Sequence, residues 1–525
     1  MRKGGSRSNG WCRPSRFPAS TRRSTRRRAA TASRSSSSPD PRDTRSKTME
    51  FNNNYHMLIG GELVAAEARL DVVNPANEQV IACVPDAGAA ELDAAVAAAR
   101  KAFPGWAATP IAERKAMLDA LADSIFANVD GFKRLLTAEQ GKPHHEAQGE
   151  IMGAGYWLKA YTALDLPETV NEDSDERLSI TRHVPLGVVG AIAPWNFPMI
   201  LAMFKVAPGL LAGNTMVLKP SPFTPLCTLK FAELAKEILP AGVLNVITGG
   251  DHLGPLMTAH PGFDKISFTG STQTGRRVMA SAAPTLKRVT LELGGNDAAI
   301  VMPDVDVEKI AEQLFWAAFT NNGQICIATK RMYIHKDIYE PLRDALVAYA
   351  RTVKVGDGSE QGTQIGPINN EAQYNRVLDL IQDAKDNGYK FLLGGEKAEV
   401  PGYFVPITIL DNPPEDSRIV QEEQFGPVLP LIRFDDFEDV LNRVNASDYG
   451  LGGSVWGSDE DKAFELAQRV QSGTVWVNET QHLSPLAAFG GMKQSGVGVE
   501  GGLEGLLEYT SAQTLVRRKK AAFVN

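Results

Sequence analysis

Two places in this 525-residue chain combine residue type and spacing in a way that could do chemistry. Cys326 lies in NNGQICIAT, a polar, glycine-containing loop beside Asn322, Gly323 and Gln324, between an expected helix and an expected strand. A free thiol is most often a small buried hydrophobe, and Cys83 and Cys227, in apolar or helical stretches, keep that reading. Placement in a loop on a rigid scaffold separates Cys326 from them and makes it a candidate nucleophile. The second place is GSTQTG (270–275), which leads into a helix and leaves backbone N–H groups free at its N-terminus, a setting that stabilises a pyrophosphate. It is not a GxGxxG match, and glycines at a helix start are most often plain turns. The four cysteines, Cys12 included, have no metal-like spacing, and His144-His145 reads as a solvated helix face, so no metal site is expected.

The surrounding elements must position these residues. Between 186 and 300, short Val- and Ile-rich runs (VVGAIAP, TMVLKP, LNVITG, KISFTG, RVTLELGG) alternate with helical segments such as 226–239 and 275–283. That alternation predicts βαβ crossovers and a parallel sheet covered on both faces, with ligands beyond the carboxyl ends of its strands. Those ends carry Trp195-Asn196, Ser221, the Gly270 loop and Leu293-Gly294-Gly295. From about residue 298 a second α/β series begins, with a helix over 307–318, the loop 320–328, the strand RMYIH, a helix over 338–352 and strands near 407, 428–433, 454–456 and 474–477. An acidic loop (NEDSDE) followed by the strand LSITRHV forms a projecting arm within 168–185. SAQTLVRR (511–518) is a strand-like tail that must pair with something.

Composition sets the outer limits. At 43% hydrophobic and 22% charged residues the chain fits a globular protein of two or three lobes. Residues 1–48 hold fourteen Lys or Arg against two acids and few aliphatic residues, so they are expected to be disordered. A translation start at Met49 is favoured for them over an organellar presequence or a nucleic-acid arm. The remaining 477 residues carry 41 basic and 60 acidic groups, which disfavours polyanion partners. The apolar run 187–213, charged only at Lys205, is broken by Pro194, Pro198 and Pro208 and reads as strand, turn and helix instead of a membrane span. A cytoplasmic location follows as the simpler expectation.

PWNFP (194–198), VLKPS (217–221), FTGSTQTG (268–275), LELGGND (291–297), NGQICIA (322–328), EEQFGPV (422–428), YGLGGSVW (449–456) and FGGMKQSG (489–496) occur in this order. Together they resemble the aldehyde dehydrogenase superfamily over roughly 55–515. The resemblance implies an α/β fold with a Rossmann-like dinucleotide-binding domain (49–167 and 186–291), an α/β catalytic domain (292–495) and a small β oligomerisation arm and tail (168–185 and 496–525). It implies that the Cys326 thiolate attacks an aldehyde, that the side-chain amide of Asn196 and the backbone N–H of Cys326 stabilise the oxyanion, and that hydride leaves to a nicotinamide. Glu292 would activate the water that hydrolyses the thioester, a role that suits a carboxyl whose burial raises its pKa. Lys205 would take part in a proton path or snorkel to solvent.

For the cofactor, the resemblance assigns contacts to Ala193, Pro194, Trp195, Lys219, Ser221, Gly270, Ser271, Glu292, Leu293, Gly294, Glu423 and Phe425. Pro222 stands where relatives often carry a ribose-binding glutamate, and no arginine follows, so NAD is preferred with NADP as the alternative. An apolar substrate tunnel is assigned to Phe197, Leu201, Phe204, Ile325, Ile327, Leu483 and Phe489. No arginine there would pair with a second carboxylate. Two other readings compete: an acyl-CoA-forming dehydrogenase, disfavoured by Glu292, and a non-catalytic structural or binding protein on the same fold. The arm and tail resemble oligomerisation strands in which the tail completes a neighbour's sheet, giving a homodimer or homotetramer.

Overall fold

Five short strands built of Val, Ile, Leu and Thr form the centre of the first sheet, and their burial on both faces is why they read as continuous apolar runs rather than alternating ones. In a computed structural model, which describes residues 49–519, these strands lie in the order Leu244–Val246, Thr215–Lys219, Val188–Ile192, Lys265–Thr269, Arg288–Glu292, all parallel. The order reverses between Val188–Ile192 and Lys265–Thr269, which opens a crevice at their carboxyl ends. Antiparallel strands Met57–Ile59 and Glu62–Val64 extend one edge, and Gly496–Val497 closes the other against Arg288–Glu292. Two apolar cores cover the two faces.

The second sheet runs Phe391–Leu393, Thr408–Asp411, Val428–Phe434, Thr329–His335, Asp297–Val301, Gly452–Trp456, Thr474–Val477, parallel apart from its first strand. Its two faces likewise carry separate cores. Only residues 293–296 separate Glu292, at the carboxyl end of the first sheet, from Asp297, at the amino end of a strand of the second. Carboxyl ends of one sheet therefore meet amino ends of the other.

Several expected boundaries move. The apolar run does divide into strand Val188–Ile192, a turn and helix Pro198–Leu211, with Pro198 at the first helical position and Gly213 at φ +96° just past the end. The first half of the acidic segment 171–176, read as a loop, lies in a strand, Glu168–Asp173, because pairing with Arg177–Pro185 outweighs its weak β propensity. The tail Thr510–Arg518 pairs along its whole length with this chain's own Arg177–Pro185 and forms an edge of that three-stranded sheet. Residues 496–509, expected with the tail, belong to the first lobe: Gly496–Val497 joins its sheet, Glu500 is buried, and Leu506 and Tyr509 enter its core. Residues 1–48 and 520–525 lie outside the described residues, and the basic extension with them. No described helix is long and apolar enough to cross a membrane.

Asn214 ties three of these pieces together. Fully buried, it accepts from the N–H of Leu186 (2.7 Å) and Gly187 (2.9 Å) and donates to the carbonyls of Gly209 (3.2 Å) and Tyr509 (2.9 Å). Replacing it with alanine leaves three backbone groups, the N–H of Leu186 and Gly187 and the carbonyl of Tyr509, without this partner, while the Gly209 carbonyl keeps the bond from the backbone N–H of residue 214 (3.0 Å). Asn214→Ala is predicted to lower stability by about 3 kcal/mol in urea denaturation, and a loss below about 1 kcal/mol would refute this account of the junction.

Candidate active site

The turn after Val188–Ile192 brings Ala193, Pro194, Trp195 and Asn196 to the mouth of the crevice, anchored by the Ala193 N–H on the Lys219 carbonyl (3.0 Å). Asn196 is buried, and its side-chain amide donates to the Gln324 carbonyl at 3.0 Å. That amide has a second hydrogen, which this bond leaves unused. The backbone carbonyl of Asn196 accepts from Lys142 Nζ (2.9 Å) and Asn321 Nδ2 (3.1 Å), so the turn is held on both sides.

The loop that carries Cys326 begins with three successive left-handed residues: Asn321 (φ 50°), Asn322 (φ 59°) and Gly323 (φ 70°). Asparagine tolerates this conformation better than most residues, and glycine suffers no penalty. Position 323 also demands glycine sterically, since a Cβ there would lie 2.2 Å from the Gly426 carbonyl oxygen. The strained stretch is braced by Glu146, which accepts from the Asn321 N–H (3.0 Å), and by Gln324, which donates to the Asn321 carbonyl (2.9 Å) and accepts from the Asn369 N–H (2.9 Å). Cys326 emerges half-buried, its backbone N–H without a partner among the described residues. Burial pushes its thiol up to about 12, against the pull of the Lys330 ammonium; Asp297, Glu423 and Glu292 add to the rise.

Glu292, at the end of Arg288–Glu292, is buried, and among the described residues neither carboxyl oxygen has a hydrogen-bond partner. Burial, then the Glu500 carboxyl, raises its pKa well above the usual range, with Lys205 opposing. Lys205 does not snorkel. Fully buried, it pairs with Glu500 Oε1 (2.6 Å) and donates to Thr269 Oγ1 (2.7 Å).

Of the seven residues assigned to an apolar tunnel, Phe197, Ile325, Ile327, Leu483 and Phe489 pack in one cluster with Cys326. Phe204 does not join them: its ring stacks on Trp157 (centroids 3.6 Å apart, 14° between planes) inside the first lobe's core, where Leu201 also packs. Ala328, Leu451 and Trp476 complete the cluster and were not anticipated, because each lies next to or within a strand and reads as ordinary core.

The residues assigned to a dinucleotide line the neighbouring carboxyl ends. Among the described residues Lys219 Nζ has a single bond, to the carbonyl of its neighbour Pro220 (3.3 Å), and burial lowers its pKa to about 8. The Ser221 hydroxyl accepts from the Phe223 N–H at 3.3 Å. The Gly270 N–H is not free as expected, since it donates to the Glu292 carbonyl (3.0 Å); the N–H groups of Ser271, Thr272 and Gln273 have no partner among the described residues, and Ser271 Oγ caps helix Thr272–Ala282 by accepting from the Thr274 N–H. A Cβ on Gly270 would meet the Phe268 ring at 2.5 Å, and one on Gly294 would meet Glu423 Oε2 at 2.3 Å. The Leu293 N–H donates to the Ser495 carbonyl (2.9 Å). Glu423 accepts from the Gly295 N–H (3.1 Å), and Phe425, at φ 52°, sets its ring edge-on to Trp195 at 5.3 Å. Free donors at a helix N-terminus, a lysine with one bond and a buried carboxyl fit a pyrophosphate flanked by two riboses.

A sequence model of the Aldehyde dehydrogenase family matches residues 63–515, the greater part of the chain. The chain belongs to the aldehyde dehydrogenase family. It is 44% identical to a probable aldehyde dehydrogenase of a Pseudomonas species, across 92% of this chain and 99% of that one. It is 40% identical to a phenylacetaldehyde dehydrogenase of Pseudomonas fluorescens, across 88% and 95%. Among solved structures, the NAD+ complex of aldehyde dehydrogenase from Bacillus cereus superposes with a TM-score of 0.88 at 38% identity, across 90% of this chain and 98% of that one. Aldehyde oxidation is therefore the activity to which this aldehyde dehydrogenase's site geometry must answer.

Helix His144–Tyr161 and the residues before it supply supports that no local pattern announces. Lys142 pairs with Glu150 (2.6 Å) and lies over the Phe197 ring (3.6 Å), Glu150 accepts from the Met199 N–H, and Glu146 holds Asn321. Burial raises the Glu146 pKa from 4.5 to about 7. A carboxyl raised on folding binds a proton in the native state that the unfolded state has released, so its contribution to stability is whole below pH 4.5 and declines until about pH 7. Glu146→Gln keeps an acceptor for Asn321 without the charge. Its stability relative to the parent is predicted to rise between those two pH values and then level off; a difference that is flat with pH in denaturation curves would contradict the assignment.

Proposed function

We propose that this chain oxidises apolar aldehydes to carboxylic acids through a thioester on Cys326, with NAD as the preferred hydride acceptor. The observation that carries the reading is Glu292: a buried carboxyl with both oxygens unbonded, close enough to raise the Cys326 thiol.

The chemistry each residue would perform follows from its surroundings. The thiolate of Cys326 forms a C–S bond with the carbonyl carbon, and the carbonyl electron pair moves to oxygen. The unused amide hydrogen of Asn196 and the Cys326 N–H are the donors available to that oxyanion; loss of one such donor typically costs about 10²–10³ in rate. When bound, NAD supplies the acceptor for the hydride that leaves the former aldehyde carbon, whose oxidation leaves an acyl thioester on sulfur. Glu292 then takes a proton from water as the water oxygen attacks the acyl carbon, the C–S bond breaks, and the thiolate and the acid are released.

Ser271, Thr272, Gln273 and Lys219 would hold the nucleotide's phosphates and adenine-side ribose, and Glu423 the ribose near the reacting carbon. Pro222 offers no carboxylate to repel a 2′-phosphate, yet no arginine in 219–225 attracts one. The apolar cluster around Cys326, rich in Phe and Trp, and the relative named for phenylacetaldehyde favour aryl and medium alkyl aldehydes as substrates.

Cys326→Ala is predicted to abolish reduction of the cofactor while cofactor binding, followed by fluorescence titration, stays within about twofold, since truncating this side chain removes only the nucleophile. Retained turnover would refute the assignment. Glu292→Gln is predicted to give one rapid equivalent of reduced cofactor followed by a steady rate at least ~100-fold lower, as loss of a general base demands; a steady rate equal to the parent's would remove Glu292 from the hydrolytic step.

A further inference from the structure

Lys330 opens out of the loop that carries Cys326, in strand Thr329–His335, and is 2% exposed. A lysine buried this deeply needs partners for all three of its N–H donors. Here all three point back to the loop: Nζ donates to the carbonyls of Ile325 (2.8 Å), Cys326 (2.7 Å) and Ala328 (3.2 Å). Glu423 Oε1 stands 3.6 Å from the same nitrogen and also accepts from the Gly295 N–H. The Gly295 backbone passes so close to this loop that a Cβ there would lie 2.6 Å from the Cys326 carbonyl oxygen.

We propose that Lys330 is a positioning residue for the Cys326 thiol: its ammonium gathers the loop through three carbonyl oxygens and holds a positive charge beside the nucleophile, with the Glu423 carboxylate as its opposing ion. The proposal rests on the reading of Cys326 as the nucleophile. The ionisable groups that bear on the sulfur are Lys330, Asp297, Glu423 and Glu292, and Lys330 is the cation among three carboxyls. Asp297 and Glu423 in turn both feel Lys330. One side chain thus sets the shape of the loop and opposes the carboxyls that, with burial, raise the thiol.

The two functions separate by substitution. Lys330→Gln keeps N–H donors for the carbonyls but removes the charge, whereas Glu423→Gln removes the opposing charge and leaves Lys330 intact. The readout is the pH dependence of iodoacetamide alkylation of the Cys326 peptide, followed by mass spectrometry on the full chain, which needs no turnover and is blind to Cys83. In Lys330→Gln the midpoint is expected to rise by about one pH unit or more, so that alkylation at a pH below both midpoints slows ~10-fold or more. In Glu423→Gln the midpoint is expected to fall. A folded Lys330→Gln, judged by circular dichroism, whose midpoint does not move overturns the proposal. Should that variant fail to fold, Glu423→Gln decides alone, and a midpoint unchanged or raised overturns it. Failure of the nucleophile reading shows differently, as turnover that survives Cys326→Ala.

Discussion

A polar atom that is to react in a dry cleft has to stay unbonded there, and each such atom costs about 1–3 kcal/mol relative to a paired one. This chain holds several together: both oxygens of Glu292, the N–H of Cys326 and one amide hydrogen of Asn196. They persist because every group around them is over-determined. Asn196 is fixed by Lys142, Asn321 and Gln324; the left-handed run 321–323 is fixed by Glu146 and Gln324; the Cys326 loop is fixed by Lys330. The charged supports are strong only where buried and hydrogen-bonded. Lys142, Glu150 and Lys330 meet that condition, each at 4% exposure or less.

The cleft itself exists because two parallel sheets are joined with almost no chain between them. Residues 293–296 must turn from the end of one strand into the start of another, and they do so where side chains have no room. Glycine at 294 admits Glu423, and glycine at 295 admits the Cys326 carbonyl. A carboxyl from the first sheet, a thiol from the amino end of the second and the start of helix Thr272–Ala282 are thereby brought to one place. Asp297, whose Oδ1 accepts from the Gly452 N–H at 3.1 Å, then locks the first residue of the new strand to its neighbour.

Much of this was legible in the sequence for a definite reason. Strands buried on both faces are short, apolar and punctuated by Gly and Pro, so their carboxyl ends, and with them Asn196, Ser221, Gly270 and Glu292, could be located by eye. The supports could not. Glu146 lies 175 positions before Asn321 and Lys142 lies 54 before Asn196, the residues they serve, and nothing in GKPHHEAQGE distinguishes a buried brace from a solvated helix face. Lys330 reads as a strand residue beside Arg331, with no local sign that its charge turns inward. Phe204 has the same helical spacing from Asn196 as a tunnel residue would, and only Trp157, on another helix, takes it into the core. The arm strand Glu168–Asp173 was hidden by its acidic composition, because strand pairing is decided by the partner and not by the segment alone.

The electrostatics of Glu292 impose an order on events if it serves as the base. Burial is the largest cause of its raised pKa, followed by the Glu500 carboxyl; Lys205, paired with Glu500, opposes them, and Glu508 adds to the rise. Desolvation therefore disfavours the ionised form of Glu292, the form that accepts a proton. A water molecule admitted next to the carboxyl reverses the main contribution, since it restores solvation to the charged form and supplies the hydrogen bonds that both oxygens lack. The substrate of the hydrolytic step is thus the same molecule that lets the base ionise. Such a base gains competence as water takes its place beside the thioester.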